Sequence, residues 1–212
     1  MVGVAMNTAT MARQIAAEAI AIEPGNQNEG EFSELIAMLL TTNPMRNVME
    51  IGTERGCSFY AWCKASAPDG VKISLDWGWG ASGTGNFRTA EARAERDNRL
   101  LGYAKNVYRI EGDSHLPENR MRVQSILHGE PLDFLFIDGD HSEAGVRQDW
   151  EMYGPLVRPG GIVAFHDIKE CEYHTRAGCF VHNFWNGLTG VRKSELISRE
   201  HVWGGIGVVF PS

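Results

Sequence analysis

No run of residues in this sequence is long and apolar enough to span a bilayer. Basic clusters are equally scarce: the longest is Arg192-Lys193, in a chain whose net charge is −7. That balance makes a nucleic-acid backbone or an anionic membrane surface a poor partner. There is no C-x-x-C pair among the four cysteines, Cys57, Cys63, Cys171 and Cys179, so they are expected to be reduced thiols. The first twenty residues lack a basic flank and carry Arg13 inside their apolar pattern, which departs from a secretory signal. A cytoplasmic location is the expectation. Internal repeats and low-complexity linkers are also missing. One domain is expected, with helices over residues 1–43 leading into a sheet domain over 44–212.

What the chain does contain is alternation of helix and strand. Residues 8–22 space strong helix formers before Pro24-Gly25, and Phe32, Leu35, Ile36, Leu39 and Leu40 recur at helical intervals up to about Thr41. Strands are predicted at Val48–Ile51, Val71–Leu75, Val107–Ile110, Leu132–Ile137 and Ile162–Phe165, with a closing pair at Leu196–Ser198 and Ile206–Phe210. Helical patterns at Ser58–Ala65, Thr89–Ala104, Glu118–His128, after His141 and around Phe180–Leu188 separate them. Pro159-Gly160-Gly161 reads as a turn before the fifth strand, and a long polar connection follows Asp167. This alternation predicts an α/β fold: a doubly wound, mainly parallel sheet with helices on both faces.

The strand ends carry the chemistry. The stretch Leu132–Asp167 delivers Asp138-Gly139-Asp140-His141 after one apolar run and His166-Asp167 after the next. Earlier strands end in Glu50-x-Gly52-Thr53-x-x-Gly56, Asp76 and Asp113-Ser114. Glycines at 52 and 56 would let the backbone approach a ligand, an acid at Asp76 suits a ribose diol, and Asp113-Ser114 suits an adenine amino group. The glycine spacing is not the G-x-G-x-x-G of a dinucleotide site. The simpler alternative for Asp140 and His141 is that they cap the next helix, as Ser142 also could. The Gly-rich segment Trp77–Phe87, with Trp77 and Trp79, reads as a surface excursion or as a lid over a ligand. Cys171-x-x-His174 and Cys179-x-x-His182 offer four zinc-type ligands across a gap shorter than zinc fingers use, with Cys179 and His182 otherwise on a packed helix.

The series Glu50-Ile-Gly-Thr-x-x-Gly56, Asp76, Gly112-Asp113-Ser114, Ile137-Asp138-Gly-Asp-His141 and Arg158-Pro-Gly-Gly161 resembles class I S-adenosylmethionine-dependent methyltransferases. It is most similar to the small-molecule O-methyltransferase group that includes macrocin-type and cephamycin-biosynthesis enzymes. The resemblance runs from about residue 27 to 210. It implies a seven-stranded sheet of order 3-2-1-4-5-7-6 with the last strand antiparallel. It implies that Glu50, Gly52, Thr53, Gly56, Asp76, Asp113, Ser114 and Asp138 bind S-adenosylmethionine. It further implies His141 as the base, with Asp138 beside it, on a small-molecule hydroxyl of a sugar or secondary metabolite. Metal-dependent relatives place ligands at the positions of Asp138, His166 and Asp167, for Mg²⁺ or another divalent cation. Here His166 stands where the family has an acid, and an imidazole suits a softer ion than Mg²⁺. Asp140 as a substitute ligand, and His166 as a second base or substrate contact, stay open. Other readings of the same pattern are a nucleotide-dependent oxidoreductase and a non-catalytic binding module. Residues 1–30, apolar helix outside the sheet, are the candidate surface for a homo-oligomer.

Overall fold

A computed structural model describes residues 7–22, 27–42, 45–77, 89–199 and 201–212. The chain opens with two helices, α1 (Thr8–Ile22) and α2 (Glu29–Thr41). Each is started by an asparagine side chain: Asn7 accepts the Thr10 amide at 2.8 Å, and Asn28 accepts that of Gly30 at 3.0 Å. Alternation then begins with β1 (Val48–Ile51), α3 (Cys57–Ala65), β2 (Lys72–Asp76), α4 (Ala90–Leu101), β3 (Val107–Glu111) and α5 (Pro117–Leu127). It continues through β4 (Leu132–Ile137), α6 (Glu143–Tyr153), β5 (Val157–Phe165), α7 (Glu172–Ala177), α8 (Val181–Gly187), β6 (Arg192–Leu196) and β7 (Ile206–Phe210). No helix among the described residues is long and apolar enough to cross a membrane.

The seven strands form one sheet of order β3-β2-β1-β4-β5-β7-β6. Pairs from β3 through β5 are parallel, and β7 runs antiparallel to both β5 and β6. The expected order and the reversed last strand are both observed. Strand order reverses between β1 and β4, so their carboxyl ends border the crevice where such sheets bind ligands.

The period of two in each strand divides the core. Val48, Phe134, Phe136, Ile162, Ala164 and Val208 face α1, α2 and α3, while Met49, Leu135, Ile137, Val163, Phe165 and Val209 face α5, α6 and α8. Trp62 anchors the first layer, its ring centroid 5.0 Å from that of Phe134 and 5.1 Å from that of Phe136. Truncating such a buried aromatic costs about 3–5 kcal/mol. The apolar stripe of α1 (Ala12, Ile15, Ala16, Ala19) is buried in this same layer. Within the candidate self-association segment 1–30, this stripe of α1 thus packs inside the chain. Glu31 ties α2 to the far end of the sheet, accepting the Ser198 amide at 2.5 Å and that of Gly205 at 2.9 Å.

Three local expectations are corrected. The sixth strand is Arg192–Leu196, not Leu196–Ser198. Its charged side chains hide a strand signal, because an edge strand has one side open to water. The fifth strand begins at Val157, with Pro159-Gly160-Gly161 forming an irregularity inside it where the register to β4 shifts. Gly160 at φ +74° accommodates that bulge. The polar connection after Asp167 contains α7, started by the Cys171 side chain and closed by Gly178 in the left-handed conformation.

Candidate active site

Hydrogen bonds continue past the strands and align their ends. Gly112 N donates to Asp76 O at 3.1 Å, Gly52 N to Leu75 O at 2.9 Å, Asp138 N to Ile51 O at 2.9 Å and His166 N to Ile137 O at 3.1 Å. Because a parallel ladder fixes register, this stitching sets the acids and imidazoles that follow each strand along one rim.

At the centre of the rim four predicted residues meet. His141 stands between two carboxylates, its Nε2 3.0 Å from Asp138 Oδ1 and its Nδ1 3.5 Å from Asp167 Oδ2. His166 Nδ1 is 3.3 Å from both Asp138 Oδ1 and Asp167 Oδ1. Burial opposes charge on His141, but Asp138, the Cys179 thiol and Asp167 together push its pKa up to about 11. Burial likewise opposes the imidazolium of His166, and Asp167 and Asp138 hold its pKa well above the ordinary value. The carboxyls respond in the opposite sense. Burial would raise both, yet His166 and His141 keep Asp138 below its usual range, and His166, His174 and His141 do the same for Asp167. His141 keeps 38% of its side chain exposed, so it is reachable from outside, whereas His166 is buried.

The helix-capping alternative is resolved by α6 itself. Ser142 Oγ accepts the Gly145 amide at 3.0 Å and Asp140 Oδ1 accepts the Ser142 amide at 2.8 Å. Asp140 thus belongs to the helix start, and His141 is left to face the carboxylates. Donor atoms of Asp138, His166 and Asp167 all lie within 4.8 Å of one another. Two carboxylates and one imidazole fit a divalent cation, and the nitrogen favours a transition metal over Mg²⁺. His166 Nε2 is buried without a hydrogen-bond partner among the described residues.

The remaining predicted residues line the rim on either side. Glu50 is fully buried below the centre and accepts a hydrogen bond from the Ser58 hydroxyl on one oxygen; its Oε2 has no partner among the described residues. Burial, partly offset by the Ser58 hydrogen bond and the Trp62 indole, raises its pKa well above normal. An unpaired buried carboxyl oxygen fits an incoming ammonium donor. Gly52 (φ +85°) and Gly56 (φ +91°) are glycines for a reason inside the protein. A Cβ on Gly52 would sit 1.9 Å from Asp138 O, and one on Gly56 would sit 2.2 Å from Leu100 Cδ2. Thr53 is buried, accepting a hydrogen bond from Ser74 Oγ at 2.8 Å.

Asp76 holds the β1 loop in place: its Oδ2 accepts the Glu54 amide at 2.8 Å, and its Oδ1 faces Arg96 at 3.2 Å and Arg109 at 3.6 Å. A ribose diol would share lone pairs on oxygens that already have partners. Asp113 Oδ1 accepts the His115 amide at 2.9 Å, and Ser114 O accepts from Tyr153 Oη at 2.8 Å. Trp77 follows Asp76 and is 66% exposed, while residues 78–87 of the segment expected to be a surface excursion or a lid, Trp79 among them, lie outside the described residues.

Several residues of the rim were not singled out for it by sequence. Arg96 and Arg109 bridge Asp76 and Asp97, and His115 Nε2 lies 3.4 Å from the buried Asp149. The four-ligand zinc reading is overturned, since no three of Cys171, His174, Cys179 and His182 bring donor atoms within ligating range. Cys171 caps α7, and His182 is buried in α8. The other two turn toward the rim: His174 Nε2 is 3.2 Å from Asp167 Oδ1, and Cys179 joins His141 and Asp167 in one cluster.

The chain is similar to known proteins. The sequence is 24% identical over 168 residues to the uncharacterized protein y4gI of Sinorhizobium fredii, covering 78% of this chain. The chain spans only 17% of the length of that relative. Among solved structures, the O-methyltransferase TomG from Streptomyces achromogenes, crystallised with SAM, is similar at a TM-score of 0.58 and 18% identity over 100% of this chain and 93% of that one. The O-methyltransferase from Bacillus cereus, crystallised with SAH, gives 0.57 and 19% over 99% and 93%. These likenesses are ones of fold. A family model described as a methyltransferase domain matches residues 49–168, from β1 through the His166-Asp167 pair, and so spans more than half of the chain. With the rim inside that match, the chain belongs to the methyltransferase-domain family.

Proposed function

We propose that this protein is an S-adenosylmethionine-dependent O-methyltransferase acting on a hydroxyl of a small molecule, a sugar or secondary metabolite, in the cytoplasm. The observation that carries this reading is the position of His141. It stands partly exposed between Asp138 and Asp167, at the switch point of a methyltransferase-family sheet. The fold and the O-methyltransferases that share it support the reading, and y4gI assigns no chemistry of its own.

When bound, S-adenosylmethionine supplies an electrophilic methyl group on a sulfonium, and a divalent cation would lower the pKa of the acceptor hydroxyl. Glu50 Oε2 is the acceptor for the ammonium of the methionine part. Asp76 takes the ribose, and Asp113 with Ser114 takes the adenine. Asp138, His166 and Asp167 would hold the cation. His141 would receive the proton of the acceptor hydroxyl, leaving the oxygen free to take the methyl group that the cofactor would supply. In the chain alone His141 is held as an imidazolium. Asp138 and Asp167 would hold a cation with His166, and a cation there would offset the negative charge that keeps the His141 ring protonated.

The test is to incubate the purified chain with S-adenosylmethionine, Mn²⁺ and a panel of hydroxylated sugars and polyketide-like phenols, reading S-adenosylhomocysteine release. Acceptor-dependent release supports the reading. A chain that binds NAD and not S-adenosylmethionine contradicts it.

A further inference from the structure

Asp167 occupies the left-handed region at φ +61°, and its two carboxylate oxygens serve opposite sides. Oδ1 faces His166 at 3.3 Å and His174 at 3.2 Å, while Oδ2 faces His141 at 3.5 Å. The thiol of Cys179 joins His141 and Asp167 in a set whose donor atoms all lie within 4.8 Å of one another. This set shares only Asp167 with the Asp138, His166 and Asp167 cluster.

The thiol is held there by the backbone on both sides. Gly178 closes α7 in the left-handed conformation, Cys179 N donates to His174 O at 2.8 Å, and Phe180 N donates to His141 O at 2.7 Å. The last bond fixes the Cys179 segment directly to the residue whose ring it faces. Cys179 is only 3% exposed, so its thiol is shielded from bulk water.

We propose that His141, Asp167 and Cys179 form a second cation subsite, selective for a thiophilic divalent ion of the zinc class. One sulfur, one imidazole nitrogen and one carboxylate oxygen are three-ligand zinc chemistry and poor Mg²⁺ chemistry. Zinc bonds of about 2.0–2.1 Å to nitrogen and oxygen put tetrahedral neighbours about 3.4 Å apart. His141 Nδ1 and Asp167 Oδ2, at 3.5 Å, already have that spacing. Asp138 on His141 Nε2 supplies the outer carboxylate that orients a ligating imidazole. An ion here removes His141 from proton transfer, so zinc inhibits. That consequence rests on the methyltransferase reading; the binding does not.

The test loads the purified full chain with Co²⁺, then displaces it with Zn²⁺. A near-ultraviolet thiolate-to-cobalt charge-transfer band is expected, abolished in Cys179→Ser and retained in Cys171→Ser. Calorimetric zinc affinity should fall at least about 100-fold in Cys179→Ser, since even outer-sphere partners account for 10–100-fold. Mn²⁺ affinity should be unchanged. Zinc-edge X-ray absorption of the wild-type chain, which needs no variant to fold, should show one sulfur ligand. An all nitrogen and oxygen shell, or a sulfur signal that survives in Cys179→Ser, overturns the proposal. If the sulfur signature appears in a chain that transfers no methyl group, the subsite stands and the proposed function falls. If methyl transfer occurs without that signature, the reverse holds.

Discussion

Asp138 and His141 leave the same strand three residues apart and meet again at 3.0 Å, carboxylate oxygen against ring nitrogen. The chain bends at Gly139 between them, and α6 is started independently by Ser142. Removing the imidazole therefore removes the proposed base without disturbing the start of α6. His141→Ala should lower kcat by about 10²–10⁴-fold. Its calorimetric affinity for S-adenosylhomocysteine should stay within about twofold of wild type. Unchanged turnover would take His141 out of the chemistry.

The proposed cation site carries a prediction of its own. Chelator-treated protein should lose most of its activity, with Mn²⁺ restoring more than Mg²⁺ if His166 supplies a nitrogen ligand. His166→Asp should reverse that preference. Full activity after chelation, with metal analysis showing no residual ion, would leave a base-only site.

Gly52 carries a packing demand that can be measured apart from catalysis. In Gly52→Ala the new methyl would lie 1.9 Å from Asp138 O at a φ of +85°. Overpacking against backbone and the left-handed conformation together should cost about 2–4 kcal/mol. For a chain of this size that lowers Tm by roughly 5–15 °C in a thermal melt. A variant as stable as wild type would mean the two loops are not in contact.

The His115–Asp149 pair makes stability depend on pH. Asp149 is the main reason the His115 pKa is raised, while burial is the main reason that of Asp149 is raised. The folded chain thus binds protons more tightly than the unfolded chain at both groups. The His115 contribution is complete below about pH 6.5 and is lost as pH rises through its higher folded value. Between pH 6 and 8 the Tm of wild type should fall more steeply than that of His115→Asn. Parallel curves would show the pair to be uncoupled from folding.

How far the sequence anticipates the site depends on how each residue gets there. Asp138, His141, His166 and Asp167 follow strands that pair in parallel register at their carboxyl ends, so apolar runs ending in acids locate them. Cys179 and His174 arrive through α7, six residues with no apolar period long enough to announce a helix. Their spacing with Cys171 and His182 invites a four-ligand site, and tertiary packing splits the set. Arg96 and Arg109 are hidden for another reason: an arginine in a charged helix or strand looks solvated until an acid meets it in three dimensions. The glycines at 52 and 56 were visible as special, but sequence could not tell a ligand from the neighbouring Asp138 carbonyl and Leu100 side chain that fill the space.

A crystal structure of the chain with S-adenosylhomocysteine and Mn²⁺ tests the central claim most directly. The expected result places the amino group on Glu50, the ribose on Asp76, the ion between Asp138 and Asp167, and the sulfur facing the open side of His141. An adenosyl group bound away from the β1–β4 crevice, or no binding at saturating ligand, would contradict it.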